Sequence, residues 1–144
     1  MEYTPITIEQ VISEESTDER YHLYRPAIPL QIFHSVIESD ADAENCSIEV
    51  SVQHDLQQML PVINSYLEWL ACCEDEVTAY FEQCLGEKVP ADWFDTIEVY
   101  SVSLVFNSAD DYGATVEFGE SVISDHIIEF QFEKQEIVGD VMSG

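Results

Sequence analysis

The spacing of apolar residues changes twice along this chain, and this order of periods limits the folds that the chain can form. Residues 30–37 read LQIFHSVI, a run of β-branched and aromatic residues, and in residues 46–52 apolar side chains alternate with polar ones. Alternation with a period of two is typical of a half-buried strand. The turn-forming residues 39–45 lie between the two runs, so the sequence predicts a hairpin of two strands.

The middle of the chain has the period of a helix. Apolar residues recur at helical spacing over residues 56–70, and Asp55 stands where an N-cap is expected. Pro61 lies inside this pattern and should kink the helix or restart it. A second amphipathic stretch, residues 74–85, opens with three acids that favour a helix N-terminus and ends before Gly86, a helix-stopping residue. We therefore predict one or two helices after the hairpin.

The last third of the chain returns to a period of two. Alternating stretches cover residues 97–106, 114–118, 126–133 and 137–142, with turn residues between them. The side chains predicted to face the core are Tyr100, Val102, Leu104, Phe106, Ala114, Val116, Phe118, Ile128, Phe130 and Phe132. Strands that follow one another without intervening helices favour an antiparallel meander. The predicted fold is α+β, an antiparallel sheet of about five to six strands with the helices packed on one face.

The length of the chain indicates a single domain. Its 144 residues, of which 46% are hydrophobic, suit one continuous core over residues 1–144. Residues 1–20 are polar and acidic with only a weak apolar pattern. They are predicted to form either a loosely attached arm or a short edge element.

The charge balance excludes several kinds of partner. The chain has 30 Asp and Glu residues against 4 Lys and Arg residues, a formal net charge of -26. Binding to phosphate needs Lys and Arg, so nucleic acid and anionic membranes are not expected as direct ligands. A basic protein, a nucleic-acid-binding surface that the chain imitates, or cations fit this charge. The alternative is an acidic surface that only maintains solubility.

The cysteines and the apolar stretches predict a cytoplasmic location. The chain has four cysteines, and no two of them form a CxxC pair; they are Cys46, Cys72, Cys73 and Cys84. We therefore predict reduced thiols and no zinc site. The first residues lack the basic and apolar regions of a secretory signal, and the apolar stretches are too short to span a bilayer.

No sequence motif indicates catalysis. The chain has no GxSxG, glycine-rich phosphate loop or HExxH pattern, so we expect no catalytic, cofactor-binding or metal-binding residue, and no enzymatic activity. The histidines are His22, His34, His54 and His126, none of which pairs with another His or Cys three or four residues away. The acids of residues 40–44 alternate as in a calcium loop, but the central glycine and the Glu at the twelfth position are missing. The turn at residues 107–113 has a glycine, but its acids do not fall at alternate positions.

The acidic strand faces and turns are the predicted partner-binding surface. Solvent-exposed strand faces also carry charge for solubility and to prevent aggregation, so the pattern is not specific. Trp93, beside Phe94 in the loop before the meander, is predicted either to anchor an interface or to close the end of the core. The predicted partner-binding residues are Trp93, Asp110, Asp111, Glu117, Glu120, Asp125, Glu129 and Glu133.

The closing segments, SDHIIEF at residues 124–130 and IVGDVMSG at residues 137–144, resemble a group of small acidic bacterial proteins of unassigned function. The resemblance covers about residues 28–144. In those proteins a Gly-His-Ser-like turn opens a strand, and a hairpin and a final strand ending in glycine follow; here Asp125 precedes His126. Such proteins resemble the immunity proteins of polymorphic and contact-dependent toxin systems. The resemblance implies a toxin-neutralising role.

Three hypotheses for function follow. The first is an immunity-type inhibitor that covers the basic surface of a toxin, for example a nuclease. The second is a nucleic-acid mimic that blocks a DNA- or RNA-binding protein. The third is a housekeeping or enzymatic domain whose acidity is incidental. Mimicry of a duplex requires carboxylates in rows near the phosphate repeat, whereas an inhibitor requires an irregular acidic patch with apolar anchors.

Overall fold

A computed structural model describes residues 5–33, 35–37 and 45–143 of the chain. The strands in these ranges are β1 (Val11–Glu14), β2 (Tyr21–Pro26), β3 (Leu30–Ile32), β4 (Ser35–Ile37), β5 (Cys46–Ser51), β6 (Glu98–Ser108), β7 (Asp111–Gly119), β8 (Ile127–Glu133) and β9 (Glu136–Ser143). The helices are α1 (Leu56–Ala71) and α2 (Glu74–Leu85), with short 3-10 turns at Ile8–Gln10 and Trp93–Thr96. None of these helices is long and apolar enough to cross a membrane.

Seven strands form one sheet in the order β1-β2-β5-β6-β7-β8-β9. Neighbouring strands are antiparallel except β5 and β6, which are parallel because α1 and α2 form the connection between them. The prediction of an α+β fold with the helices on one face is confirmed. The predicted strand number and purely antiparallel sheet are corrected, since the sheet has seven strands and is mixed.

The predicted N-terminal hairpin is wrong. Residues 30–32 and 35–37 form two short strands, β3 and β4, which pair with each other in a separate sheet. Phe33 between them has a φ of 57°, in the left-handed region that favours glycine, and its ring is buried against Phe94, Phe118 and Phe132. β5 pairs with β2 and β6 instead. Turn residues 38–44 and His34 lie outside the described residues.

Part of the first segment is an edge element and not a loose arm. β1 pairs with β2 along four residue pairs and forms one edge of the large sheet. Ile6 is buried, and its backbone exchanges two hydrogen bonds with the Asn64 side chain, at 2.8 and 3.0 Å. This segment is therefore attached to α1.

Both predicted helices are present. α1 begins at the predicted cap, where an oxygen of the Asp55 side chain accepts a hydrogen bond from the backbone N–H of Gln57 at 3.2 Å. The helix runs through Pro61 without restarting. α2 ends at Gly86, whose φ of 76° is the left-handed conformation that glycine adopts most easily.

The four C-terminal strands form the predicted meander. Nine of the ten side chains predicted to face inward are buried, namely Val102, Leu104, Phe106, Ala114, Val116, Phe118, Ile128, Phe130 and Phe132. The exception is Tyr100, which is 43% exposed. The register of β6 against β7 shifts between Val99 and Ser101, so Tyr100 occupies a β-bulge and leaves the inward-facing series.

Candidate functional site

The helices cover one face of the large sheet, and we call the opposite face the open face. Because strand residues alternate between faces, the neighbours of the buried residues in β5 to β8 point to the open face. Many of them are small, such as Ser101, Ser103 and Thr115. The acids that alternation places on this face in β5 to β8 are Glu49, Glu98, Asp111, Glu117, Glu129 and Glu133.

Two of these acids are direct cross-strand neighbours, and we call them the acid pair. Glu117 of β7 and Glu129 of β8 are Cα partners in the antiparallel ladder. The Glu129 carboxylate accepts a hydrogen bond from the Gln131 side-chain amide at 2.9 Å. Glu117 is also the Cα partner of Ser101 in β6, the strand on the other side of β7. Like charges directly opposite each other destabilise a sheet by a few tenths of a kcal/mol to about 1 kcal/mol. The acid pair therefore costs stability that a nearby cation would recover.

The cations of the chain lie elsewhere. All four Lys and Arg residues are within the described part of the chain, where three form ion pairs and Lys134 lies in the β8–β9 turn. The ion pairs are Arg20–Asp18 at 2.8 Å, Arg25–Glu14, and Lys88–Glu82 at 3.5 Å. Neither Glu117 nor Glu129 takes part in these three ion pairs.

Glu49 extends the acidic surface toward the middle of the sheet. Its pKa is raised, first by burial and then by the nearby Asp18 carboxylate, while Arg20 partly offsets the shift. Glu49 was not among the predicted site residues. The alternation in residues 46–52 places it on the polar side of a strand, which was the available signal.

Exposed apolar side chains border the acid pair, and we call Tyr100, Ile127 and Val141 the apolar rim. Val141 of β9 is the Cα partner of Glu129. A Cβ atom at Gly119 would collide with the Tyr100 hydroxyl, so the tyrosine ring covers Gly119 at the end of β7. Phe118 pairs with Ile128, so Gly119 and Ile127 are the next positions of the two strands. All three rim side chains are exposed.

Trp93 and Glu120, which were predicted to contact a partner, are both buried. Trp93 is 1% exposed and stacks on Phe81, with ring centroids 4.5 Å apart. Glu120 is 5% exposed. Its carboxylate accepts hydrogen bonds from the Trp93 indole N–H at 2.7 Å and from the backbone N–H groups of Val122 and Ile123 at 2.9 and 2.8 Å. The alternative prediction, that Trp93 closes the end of the core, is confirmed.

Four of the other predicted residues are exposed but fall at two ends of the sheet. Asp110 and Asp111 lie at the β6–β7 turn, and Glu133 lies at the same end, opposite Gly113. Asp125 lies at the other end, in the loop before β8. Its carboxylate contacts His126 at 2.9 Å, and this hydrogen bond lowers the pKa of Asp125. Apart from the buried Trp93 and Glu120, only Glu117 and Glu129 among the predicted residues are direct cross-strand neighbours.

No known family model matches this chain, and comparisons with the curated proteins and with the solved structures found no match. The function must therefore be inferred from the geometry and charges of the chain itself.

The remaining reactive groups do not assemble into a site in the described ranges. No group of three or more His, Cys, Asp or Glu residues there could hold a metal ion. Burial raises the pKa of the Cys46 and Cys73 thiols to about 12, so both are protonated at neutral pH. Cys72 and Cys84 are free and exposed.

Proposed function

We propose that this chain is a non-catalytic acidic binding protein, an immunity-type inhibitor that neutralises a basic toxin such as a nuclease. The toxin would dock on the open face, with cations against the acid pair and an apolar surface against the rim. Four free thiols are compatible with action in the cytoplasm.

The observation that carries the proposal is the direct opposition of Glu117 and Glu129. The cross-strand repulsion is present before binding, and a lysine or arginine from a partner placed between the two carboxylates would relieve it. The surrounding charge of the chain, -26 in total, would also accelerate the approach of a basic protein.

The apolar rim supports an inhibitor over a nucleic-acid mimic. A mimic needs repeated carboxylates and little else, whereas protein interfaces derive most of their affinity from a few anchors, often aromatic. Tyr100, Ile127 and Val141 offer such anchors beside the acid pair. The acids and anchors together form an irregular patch.

The proposal is tested by co-purification from the source cell at low ionic strength and at about 0.5 M salt, where charges are strongly screened. A basic protein should be retained at low salt and released at high salt. The double variant Glu129→Lys with Glu133→Lys should fold and lose this protein. The matched control is Glu15→Lys with Glu19→Lys, the same charge change at exposed positions between β1 and β2; it should retain the protein.

Two results would count against the proposal. Recovery of no basic protein at either ionic strength contradicts a charge-driven partner. Equal retention by both double variants shows that the partner does not use the open face.

A further inference from the structure

The two edges of the large sheet differ in how they are protected. β1 at one edge has only four residues, and short edge strands offer little to an incoming strand. β9 at the other edge has eight residues, Glu136–Ser143, and contains no proline, lysine or arginine. Proline and lysine are common devices that prevent strands from pairing with an exposed edge.

β9 also has a regular segment suited to pairing. A register shift lies opposite Gln131 and Phe132, after which residues 139–143 pair continuously with β8. Within this segment Val141 and Met142 are exposed, and Val138 beside it is 53% exposed. The outer edge of the segment is not paired with any described strand. An extended peptide could therefore add to it through main-chain hydrogen bonds.

Charge decides which peptide fits. The hairpin of β8 and β9 carries four acids, Glu129, Glu133, Glu136 and Asp140, and one cation, Lys134. A second copy of the chain would bring another net charge of -26 and set the acids of one β9 against those of the other. Lysine or arginine side chains on an incoming strand would instead lie near carboxylates.

We propose that the edge of β9 accepts an extended strand of the partner in which lysine or arginine alternates with apolar residues. This inference rests on the proposed function, since it identifies the segment of the basic partner that is recognised. Successive residues of a strand point to opposite faces of the sheet, so the two residue types of the incoming strand must alternate. A residue of that strand beside Val141 would point to the open face, and one beside Asp140 would point to the face covered by the helices.

The test uses two short synthetic peptides with blocked ends. One, the lysine–valine peptide, alternates lysine with valine; the other has the same side chains but a methyl group on every backbone nitrogen, which keeps the charge and removes the N–H donors that a ladder needs. Binding is measured by fluorescence anisotropy, and amide hydrogen exchange of the full chain is followed by NMR. The lysine–valine peptide should bind at least about tenfold more tightly and slow exchange of amides in residues 139–143.

Matched variants locate the contact. Met142→Lys should weaken binding of the lysine–valine peptide about tenfold, because it adds a repelling charge to the edge. Val36→Lys, the same charge change at an exposed strand residue outside the large sheet, should have little effect. If Met142→Lys does not fold, amide hydrogen exchange of residues 139–143 in the unmodified chain still tests whether the peptide binds at β9.

Several outcomes would overturn the inference. Equal binding of both peptides, or binding without protection of β9 amides, would show charge attraction alone and leave the proposed function standing. Binding of neither peptide would also overturn it, and the co-purification would then judge the proposed function separately. A concentration-dependent dimer that Met142→Lys abolishes would identify a second copy as the occupant.

Discussion

Glu117 and Glu120 are three residues apart at the end of β7, yet their surroundings are opposite. Glu120 is buried and accepts three hydrogen bonds, which satisfy its charge within the chain. Glu117 faces Glu129 across the ladder, and no ion pair of the described residues includes either. A glutamate side chain therefore stabilises the fold where hydrogen-bond donors of the chain surround it. Where such donors are absent, the carboxylate is available to a partner.

The largest expected effect is on the Glu120 side of this comparison. Glu120→Ala should lower the free energy of unfolding by about 3 kcal/mol, because the buried Trp93 indole and two backbone N–H groups would lose their acceptor. Urea denaturation measures the change. Glu117→Ala is the control and should change stability by less than about 0.5 kcal/mol. Similar losses in both variants would contradict the distinction.

The next largest effect concerns the apolar rim. Tyr100→Ala should weaken binding of the captured basic protein roughly 30-fold, equivalent to about 2 kcal/mol, as expected for an aromatic anchor. Tyr100→Phe keeps the ring and should retain most of the affinity. Isothermal titration calorimetry measures both. Unchanged affinity of Tyr100→Ala would remove the rim from the interface.

A smaller effect tests the acid pair in the free protein. Glu117→Gln removes one of two opposed charges and should raise the free energy of unfolding by about 0.5 kcal/mol at low salt. The gain should shrink as salt rises, because screening weakens the repulsion. Glu15→Gln, at an exposed position in the β1–β2 connection, is the control. A loss of stability in Glu117→Gln would mean that this carboxylate is already compensated.

The smallest effect depends on pH. The pKa of Glu49 is raised above its ordinary value of 4.5, so its charged form costs stability in the folded chain. Glu49→Gln should therefore be more stable at neutral pH, by less than about 0.5 kcal/mol. The advantage should disappear as the pH falls through the raised pKa to below 4.5, where Glu49 is protonated in both states. Denaturation at several pH values checks the sign.

Alternation and helical spacing predicted the elements whose residues follow one period throughout. The meander strands and both helices belong to this class, because each buries one continuous face. The failures arose where a local feature interrupts the period. Phe33 turns the chain inside an apolar run, and a bulge moves Tyr100 to the opposite side.

The candidate site was predictable only in part. Alternation placed Glu117 and Glu129 on a polar face, but their register depends on how two strands pair, which single-strand patterns do not specify. The Trp93 indole N–H donates a hydrogen bond to Glu120, 27 residues further along the chain. No local sequence pattern indicates such a long-range contact. β2 was missed as a strand because His22, Arg25 and Pro26 interrupt its apolar pattern.

Carboxyl footprinting tests the central claim most directly. Carbodiimide labelling of exposed carboxylates is measured by mass spectrometry for the free chain and for its complex with the captured basic protein. Labelling of Glu117 and Glu129 should fall on binding, that of Glu15 and Glu19 should not change, and Glu120 should resist labelling in both states. Unchanged labelling of Glu117 and Glu129 in the complex would contradict docking on the open face.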